Sequence, residues 1–345
     1  MRALTLTAIG GLEHLKVQDL PPPPPPGPGQ ATIRVRMAAL NHLDLYVVEG
    51  LKGVTYTFPH VVGTDAAGVV ERVGEGVTAF ARGDAVMVNP GISCGRCPAC
   101  QAGEESLCDS FGVMGEHRSG FAAELVTVPA VNLARKPDAM PWSEAAAYSL
   151  AALTAWRMLV SRAALRAGET VLIWGAGGGV AQAAIRIAAY LGARVIATSS
   201  RAETRELART LGAEVVVDHG AEDVVAAVKA ATGRRGVEVV VDSVGQATWE
   251  RSTRCLARGG RLVTCGGTSG PDLALDVRRL FWHQWSILGS TMGSHAEYRA
   301  VAALAAAGEL RPVVDRVVPL DQAVQAFERL RSGAQTGKLV LEVTR

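Results

Sequence analysis

Residues 171–181 read VLIWGAGGGVA, a short apolar run, a cluster of glycines and the start of a second apolar run. This order predicts a β-strand, a tight turn and a helix. Glycine lets the backbone approach a pyrophosphate closely, and the free N–H groups at the start of the helix can bind it. A glycine cluster alone is a weak signal, and a tight turn without a ligand is the alternative. Where such a cluster follows a strand, opens a helix and begins a series of strand–helix units, it predicts a dinucleotide site. Here that site comprises Gly175, Gly178, Gly179 and Val180.

The residues around this turn supply that context, because short apolar strands alternate with helical stretches. The predicted strands are Thr170–Trp174, Arg194–Thr198, Glu214–Val217, Val237–Asp242 and Arg261–Cys265. The predicted helices are Val180–Leu191, Ala202–Leu211, Glu222–Ala231 and Ala247–Ala257. Repeated strand–helix units with Val- and Ile-rich strands imply a parallel, doubly wound sheet.

The two ends of the chain have a different character. Short apolar runs bounded by Gly or Pro predict strands of a small barrel at Ala31–Leu40, Ala67–Val73 and Asp84–Asn89. Pro21–Pro26 predicts an extended loop, since proline cannot donate to a ladder. The segment from Ser290 returns to mixed structure and ends in a strand, Lys338–Val343. For 345 residues, this organisation predicts an α/β protein of two domains.

The end of the second predicted strand indicates which coenzyme is used. An NAD enzyme usually carries Asp or Glu there to bind the ribose hydroxyls. This chain has Ser199, Ser200 and Arg201, with Arg205 one helical turn later. Two guanidinium groups can pair with a 2′-phosphate, so we predict NADPH, with NADH as the alternative. The other interpretation is that both arginines lie on a solvated helix face.

Four cysteines form a cluster at residues 94–108. Cys94, Cys97 and Cys100 recur at every third position, and Cys108 follows after eight residues. Thiolates suit tetrahedral zinc, and four of them leave no open coordination position. The spacing therefore predicts one structural Zn²⁺ per chain in a lobe at about residues 90–110. A disulfide pair, an iron–sulfur cluster and free thiols are the alternatives.

The composition is that of a globular protein, with 48% hydrophobic and 20% charged residues. Lys plus Arg (35) nearly balances Asp plus Glu (33), which argues against a nucleic-acid partner. The N-terminal MRALTLTAIGG does not resemble a signal peptide, and Arg157 interrupts the longest apolar run. We therefore expect a cytoplasmic protein that acts on a small molecule and has no membrane partner.

Further motifs resemble those of the zinc-containing medium-chain dehydrogenase/reductase superfamily, which includes alcohol dehydrogenases, quinone reductases and enoyl reductases. They are Asn41-His-Leu-Asp44, Gly63-Thr-Asp65, Gly83-Asp84-Ala-Val86, Leu153-Thr154-Ala155-Trp156 and Gly337-Lys338-Leu-Val340, besides the cysteine lobe and the glycine-rich turn. The resemblance implies a GroES-like domain formed by residues 1–151 and 290–345, and a Rossmann domain at residues 152–289. It also implies a homodimer or homotetramer, with contact near Trp285–Leu288.

The same resemblance extends the predicted coenzyme site. It assigns Thr154 to that site and places Ser243, Val244, Cys265 and Gly266 beside the nicotinamide and its ribose. It also implies that Lys338 reaches the pyrophosphate.

The chain departs from the family at the catalytic zinc. Asn41, Thr64 and Leu150 stand where an alcohol dehydrogenase of the family has its metal ligands, and Leu150 cannot bind a metal. Leu43 and Tyr46 replace the proton relay. The resemblance therefore implies an active site without catalytic zinc. A metal site rebuilt from His42, Asp65 and Ser149, or with His117, is the alternative.

Without a metal to activate an alcohol, reduction of a quinone, enone or similar activated alkene or carbonyl is the predicted reaction. Its developing oxyanion needs only hydrogen-bond donors. Asn41 is expected to orient the substrate or the nicotinamide ribose, Tyr46 or Tyr56 to donate a hydrogen bond or proton, and Asp44 to orient the backbone. A zinc-dependent alcohol or aldehyde dehydrogenase and a non-catalytic NADPH-binding protein are the alternatives.

Overall fold

The computed structural model describes residues 1–344. The chain divides into two compact units. The first unit comprises Met1–Ala151 and the described chain from Gly293 onward, and the second comprises Ala152–Met292. The return to the first unit thus falls three residues after the boundary expected from the sequence.

The β-strands of the described chain lie in both units. They are β1 Arg2–Leu6, β2 Leu15–Asp19, β3 Gln30–Leu40, β4 His60–Val61, β5 Asp65–Val73, β6 Ala85–Val88, β7 Gly91–Ile92, β8 Gly112–Val113, β9 Leu125–Pro129, β10 Leu133–Arg135, β11 Thr170–Ile173, β12 Arg194–Thr198, β13 Val215–Val217, β14 Val237–Val241, β15 Leu256–Thr264, β16 Ser286–Gly289, β17 Val314–Pro319 and β18 Lys338–Glu342.

The α-helices are α1 His42–Glu49, α2 Pro98–Gln101, α3 Trp142–Ala146, α4 Ser149–Trp156, α5 Gly179–Tyr190, α6 Ala202–Thr210, α7 Val224–Ala231, α8 Trp249–Cys255, α9 Val277–His283, α10 His295–Ala306 and α11 Ala323–Arg331. A π-helix follows α4 at Arg157–Arg162. Short 3₁₀ helices lie at Leu12–His14, Glu105–Leu107, Ala130–Asn132 and Leu320–Gln322.

The first unit is built on a seven-stranded sheet with β3 near its centre. The strand order is β10-β6-β5-β3-β18-β17, with β9 pairing to β3. Ile33, Val35 and Ala39 of β3 are fully buried, and β18 from the C-terminal segment pairs antiparallel with β3. The two ends of the chain therefore share one hydrophobic core. The antiparallel pairing also brings Lys338, at the start of β18, near the end of β3 and the start of α1.

The second unit is a six-stranded, fully parallel sheet in the order β13-β12-β11-β14-β15-β16. This confirms the predicted doubly wound sheet, because β11 lies centrally and successive strands are added first on one side and then on the other. The carboxyl ends of parallel strands lie at one edge, and a ligand binds where the order reverses, here between β11 and β14.

One predicted boundary in this unit is wrong. The helix expected at Ala247–Ala257 ends at Cys255, and β15 begins at Leu256 instead of Arg261. Leu256 is buried and pairs with Val237 of β14, so packing in the sheet overrides the local helical pattern.

Among the described residues, no helix is both long and apolar enough to span a membrane.

Candidate functional site

The four clustered cysteines converge in the first unit, with their Sγ atoms within 4.8 Å of one another. Pro98 begins α2 directly after Cys97, and the 3₁₀ helix at 105–107 leads into Cys108. Backbone N–H groups of Arg96 and Cys97 bind the sulfur of Cys94 and lower the pKa of this thiol to about 6. Four converging sulfur atoms and a thiol that ionises readily fit the ligand set of a structural zinc ion.

A buried polar cluster occupies the place where the family resemblance puts catalytic-zinc ligands. Asn41 precedes α1, and its backbone N–H donates to Asp44 Oδ2 at 2.7 Å. Asp44 also accepts from the Gly63 N–H at 3.0 Å and the Thr64 hydroxyl at 2.9 Å. Asp44 is fully buried, and this burial raises its pKa to about 6, although the hydrogen bonds oppose the shift. These contacts fit the predicted role of Asp44 in orienting the backbone.

A lysine ammonium group completes this cluster. Lys338 Nζ donates to Asn41 Oδ1 and, at 3.3 Å, to Asp65 Oδ2. Asn41 Nδ2 donates to Thr64 Oγ1 at 2.9 Å and to Asp65 Oδ2 at 3.3 Å, while the Leu150 N–H donates to Asp65 Oδ1. Lys338 is only 4% exposed. This placement does not support the prediction that Lys338 reaches the pyrophosphate, because its ammonium group is buried and bound to two acceptors.

The residues at this position do not fit a catalytic zinc ion. Asn41 offers an amide that is already hydrogen-bonded at both ends, Thr64 offers a hydroxyl and Leu150 offers no ligand atom. Burial raises the pKa of Asp65, and the charge of Lys338 opposes this shift. The positive charge in the cluster is therefore supplied by the protein itself.

The structure also does not assemble a substitute metal site from the neighbouring residues. Ser149 hydrogen-bonds to the Tyr298 hydroxyl at 3.0 Å, and the His42 ring contacts the edge of Tyr46. His117 Nδ1 accepts the Val113 N–H. Across residues 1–344, the four cysteines are the one group of three or more His, Cys, Asp or Glu side chains whose ligand atoms converge.

Two tyrosine hydroxyl groups in this unit are suited to bind a substrate. The hydroxyl oxygens of Tyr46 and Tyr56 are buried, and neither hydroxyl donates a hydrogen bond among the described residues. Burial raises the pKa of both side chains, so both keep their protons at neutral pH. A buried donor without a partner is costly, and a ligand carbonyl oxygen would satisfy it.

In the second unit, the glycine-rich segment forms the predicted turn between β11 and α5. Gly175 has φ +70°, and its N–H donates to Thr198 Oγ1 at 3.3 Å. Gly178 precedes the first residue of α5, so the free N–H groups of this helix face the turn. Gln182 Oε1 and Thr204 Oγ1 are buried near this turn without a partner. The turn and these unsatisfied groups fit a bound dinucleotide.

The two arginines after β12 occupy different positions. A Cβ at Gly177 would lie 3.0 Å from Arg201 Nη2, so this guanidinium lies beside the turn. Arg205 Nη1 instead pairs with Asp218 at 2.7 Å and donates to the carbonyl oxygens of Ser199 and Ser200. Arg205 therefore holds the loop after β12, which does not support its predicted role as a second ligand of the 2′-phosphate.

Two residues in this region were not identified from the sequence. Asp218 and His219 follow β13, the strand that pairs with β12. His219 Nδ1 lies 3.1 Å from Thr198 Oγ1, the oxygen that accepts the Gly175 N–H. Because the carboxyl ends of parallel strands meet at one edge, their position after a predicted strand is a signal that could have identified them.

The remaining predicted coenzyme residues follow the other strands of the sheet. Ser243 and Val244 lie just beyond the end of β14, after Asp242, and Cys265 and Gly266 directly follow β15. Burial raises the pKa of Cys265 to about 12, so the thiol is neutral. Thr154 is buried on α4, and its hydroxyl contacts the sulfur of Met292 at 3.8 Å.

Comparisons with known proteins agree with this architecture. Residues 27–138 match the alcohol dehydrogenase GroES-like domain, and residues 179–307 match the zinc-binding dehydrogenase domain. The chain therefore belongs to the zinc-type medium-chain dehydrogenase/reductase superfamily and is an oxidoreductase.

Individual relatives include proteins named alcohol dehydrogenase and proteins named quinone oxidoreductase. An NAD-dependent alcohol dehydrogenase of Sulfurisphaera tokodaii is 32% identical over 99% of both chains. The human quinone oxidoreductase is 27% identical over 99% of this chain and 97% of its own. A crystal structure of an NAD-dependent alcohol dehydrogenase superposes with a TM-score of 0.96, 44% identity and complete coverage of both chains.

Proposed function

We propose that this protein is an NADPH-dependent reductase that transfers hydride to a quinone, an enone or a similar activated alkene or carbonyl without catalytic zinc. The hydrogen-bonded cluster of Asn41, Asp65 and Lys338 supports this proposal most directly. Since its cation is an amine held by protein acceptors, it offers no Lewis acid to lower the pKa of an alcohol. Reduction of a polarised double bond does not require one.

The protein's own groups position the reactants in this proposal. The nicotinamide coenzyme supplies the hydride when it is bound. The N-terminus of α5 and the turn at Gly175–Gly178 would hold its phosphates. Tyr46 and Tyr56 would donate hydrogen bonds to the substrate oxygen on which negative charge develops. Asn41 Oδ1 keeps one lone pair besides the one that accepts from Lys338, so an orienting contact with ribose or substrate remains a prediction.

A survey of substrates tests the reaction class. We expect purified enzyme with NADPH to reduce quinones and enones, with little oxidation of primary and secondary alcohols by NADP⁺. Strong alcohol oxidation that a chelator abolishes without unfolding the chain would instead identify a zinc-dependent dehydrogenase. Tight NADPH binding without turnover on the whole panel would identify a non-catalytic protein.

The preference for NADPH depends on Arg201 in this proposal. A charge-assisted hydrogen bond contributes about 1.5–3 kcal/mol, so Arg201→Ala is expected to raise the KM for NADPH by about 10- to 100-fold. The KM for NADH should change much less. Arg209→Ala is the control, because Arg209 lies on α6, the helix that Arg201 precedes, pairs with Glu206 and is half exposed. Equal catalytic efficiency of wild-type enzyme with both coenzymes would contradict the proposed preference.

The proposed assembly is a symmetric dimer formed by the second unit. Within the described chain, β16 pairs on one side only, with β15, which leaves an edge for a second copy. Beside it in sequence, α9 exposes Val277, Phe281 and Trp282, each more than 60% accessible. An exposed apolar patch of this kind favours association. Light scattering should show a dimer that Trp282→Glu dissociates, whereas Val131→Glu, at an exposed site of the first unit, should not.

A further inference from the structure

The turn at residues 112–118 packs directly against the position of the missing zinc ligand. A Cβ built on Gly115 would lie 2.8 Å from Thr64 Cγ2 and 2.6 Å from the carbonyl oxygen of Gly63. Gly115 has φ +86°, and its N–H donates to the Arg118 carbonyl, which closes the turn. The next residue, Glu116, therefore extends from a backbone that touches Thr64.

Glu116 is a carboxylic acid in an environment that favours its neutral form. Its side chain is 16% exposed, and burial raises its pKa. Its Oε2 lies 3.5 Å from Nδ1 of His117, and that nitrogen accepts the Val113 N–H at 3.3 Å. Burial is the larger effect on the pKa of Glu116, and the positive charge that His117 can carry opposes it.

His60 connects this turn to Tyr56, one of the two tyrosines with an unsatisfied hydroxyl. His60 Nε2 donates to the Gly115 carbonyl at 2.9 Å, and the His60 ring meets the Tyr56 ring edge-on at 5.2 Å. Burial lowers the pKa of His60, so the ring is neutral. Burial raises the pKa of Tyr56, so its hydroxyl keeps its proton at neutral pH. His60 therefore links Tyr56, a hydrogen-bond donor, to the turn that carries Glu116.

We propose that Glu116 is the proton donor when this enzyme reduces an activated carbon–carbon double bond. This inference rests on the proposed reductase function. The substrate β-carbon gains the hydride and its electron pair, the π pair moves toward the carbonyl as an enolate, and Tyr56 donates a hydrogen bond to that oxygen. The O–H bond of Glu116 then breaks as a C–H bond forms at the α-carbon. The resulting carboxylate takes a proton from water, and the nicotinamide is oxidised as the alkene is reduced.

Paired substrates test this assignment, since a quinone takes its protons on oxygen, where water can supply them. A general acid contributes about 10²- to 10⁴-fold, so Glu116→Gln is expected to lower kcat for an enone at least about 100-fold. For a quinone, we expect kcat of the same variant to change by less than about threefold. Glu75→Gln, an exposed carboxylate of the same unit, is the control for loss of charge. Thermal unfolding of each variant monitors the fold.

The isotope pattern in D₂O gives a second readout that a structural role would not change. Wild-type enzyme should place deuterium on one face of the α-carbon, and Glu116→Gln should give both faces. The enone rate of wild-type enzyme should fall as pH rises through the pKa of Glu116, and the variant should lose this dependence. Glu116→Asp, a shorter acid, should keep the facial selectivity at a reduced rate, and it replaces the amide variant if that variant does not fold.

Different experimental outcomes would overturn the proposed reductase function and the role of Glu116. Wild-type enzyme that reduces neither enones nor quinones would overturn the proposed function. Wild-type enzyme that reduces enones, together with a Glu116→Gln variant of unchanged rate and facial selectivity, would overturn only the role of Glu116. An equal loss on both substrates with a lower Tm would overturn it as well, because the residue would then be structural.

Discussion

The first unit contains two positions at which its superfamily can hold zinc, and this chain has kept the ligands at only one of them. In the cysteine lobe, four sulfur atoms converge within 4.8 Å, and backbone N–H groups contact them. At the other position, an amide, a hydroxyl, a carboxylate and an ammonium group hydrogen-bond to one another. The cysteine cluster offers ligands for a metal ion, whereas the second cluster contains its own cation, the ammonium group of Lys338.

This difference has a consequence for stability. Four converging thiolates repel one another unless a cation neutralises them, so we expect the lobe to depend on a bound metal ion. The Asp65–Lys338 pair is fully buried but carries its counter-charge and satisfies its acceptors within the protein. The second position therefore has no unpaired buried charge that would need a metal ion to neutralise it.

Removal of the lobe's metal is expected to have the largest effect. Cys100→Ser should reduce the zinc content from about one ion per chain to near zero and lower the free energy of unfolding by about 4 kcal/mol or more. Elemental analysis and urea unfolding measure the two quantities. Cys255→Ala, which removes a buried thiol outside the lobe, should leave the zinc content unchanged. Two zinc ions per wild-type chain would show that the second position also binds metal.

Breaking the buried ion pair should have the next largest effect. Lys338→Met leaves Asp65 buried without a counter-charge, so the free energy of unfolding is expected to fall by about 3–5 kcal/mol. Adding Asp65→Asn should recover part of this loss, because the unpaired charge is then gone. Urea unfolding of both single variants and the double variant measures the coupling. Strictly additive losses would mean that the two side chains do not stabilise each other.

A smaller effect is expected from the pH dependence of Asp44. Its folded pKa of about 6 is higher than the value of about 3.9 in an unfolded chain, so the folded state binds the extra proton. The stability from this group is present at low pH and is lost as pH rises through about 6. The difference in unfolding free energy between wild type and Asp44→Asn should therefore shrink by at most about 3 kcal/mol from about pH 4 to about pH 7. A difference that grows over this range would contradict the shift.

The sequence allowed the parallel sheet to be predicted because its signals are local. Buried strands such as Val237–Val241 are nearly continuous apolar runs, and glycines mark the turn that follows β11. The start of β15 was missed because the helical pattern at residues 247–257 continues past Cys255, and only pairing with β14 extends the strand. Local pattern thus predicted the elements better than their boundaries.

The candidate site was less accessible to prediction. The family resemblance identifies residues 41, 64 and 150 as the ligand positions, and side-chain chemistry then excludes them as usable zinc ligands. The position of Lys338 could not, since it approaches Asn41 only because β18 pairs antiparallel with β3. The ion pair between Arg205 and Asp218 likewise forms only because β12 and β13 pair in parallel.

The sequence by itself therefore determined the superfamily, the four-thiol ligand set, the dinucleotide turn and the loss of catalytic-zinc ligands. These properties depend on residue identity and short spacing, which chemistry and local geometry constrain directly. Only the tertiary structure decided which side chains neutralise one another at the vacated position and that the backbone at Gly115 packs against Thr64. Those contacts join residues far apart in the chain, and strand pairing and packing bring them together.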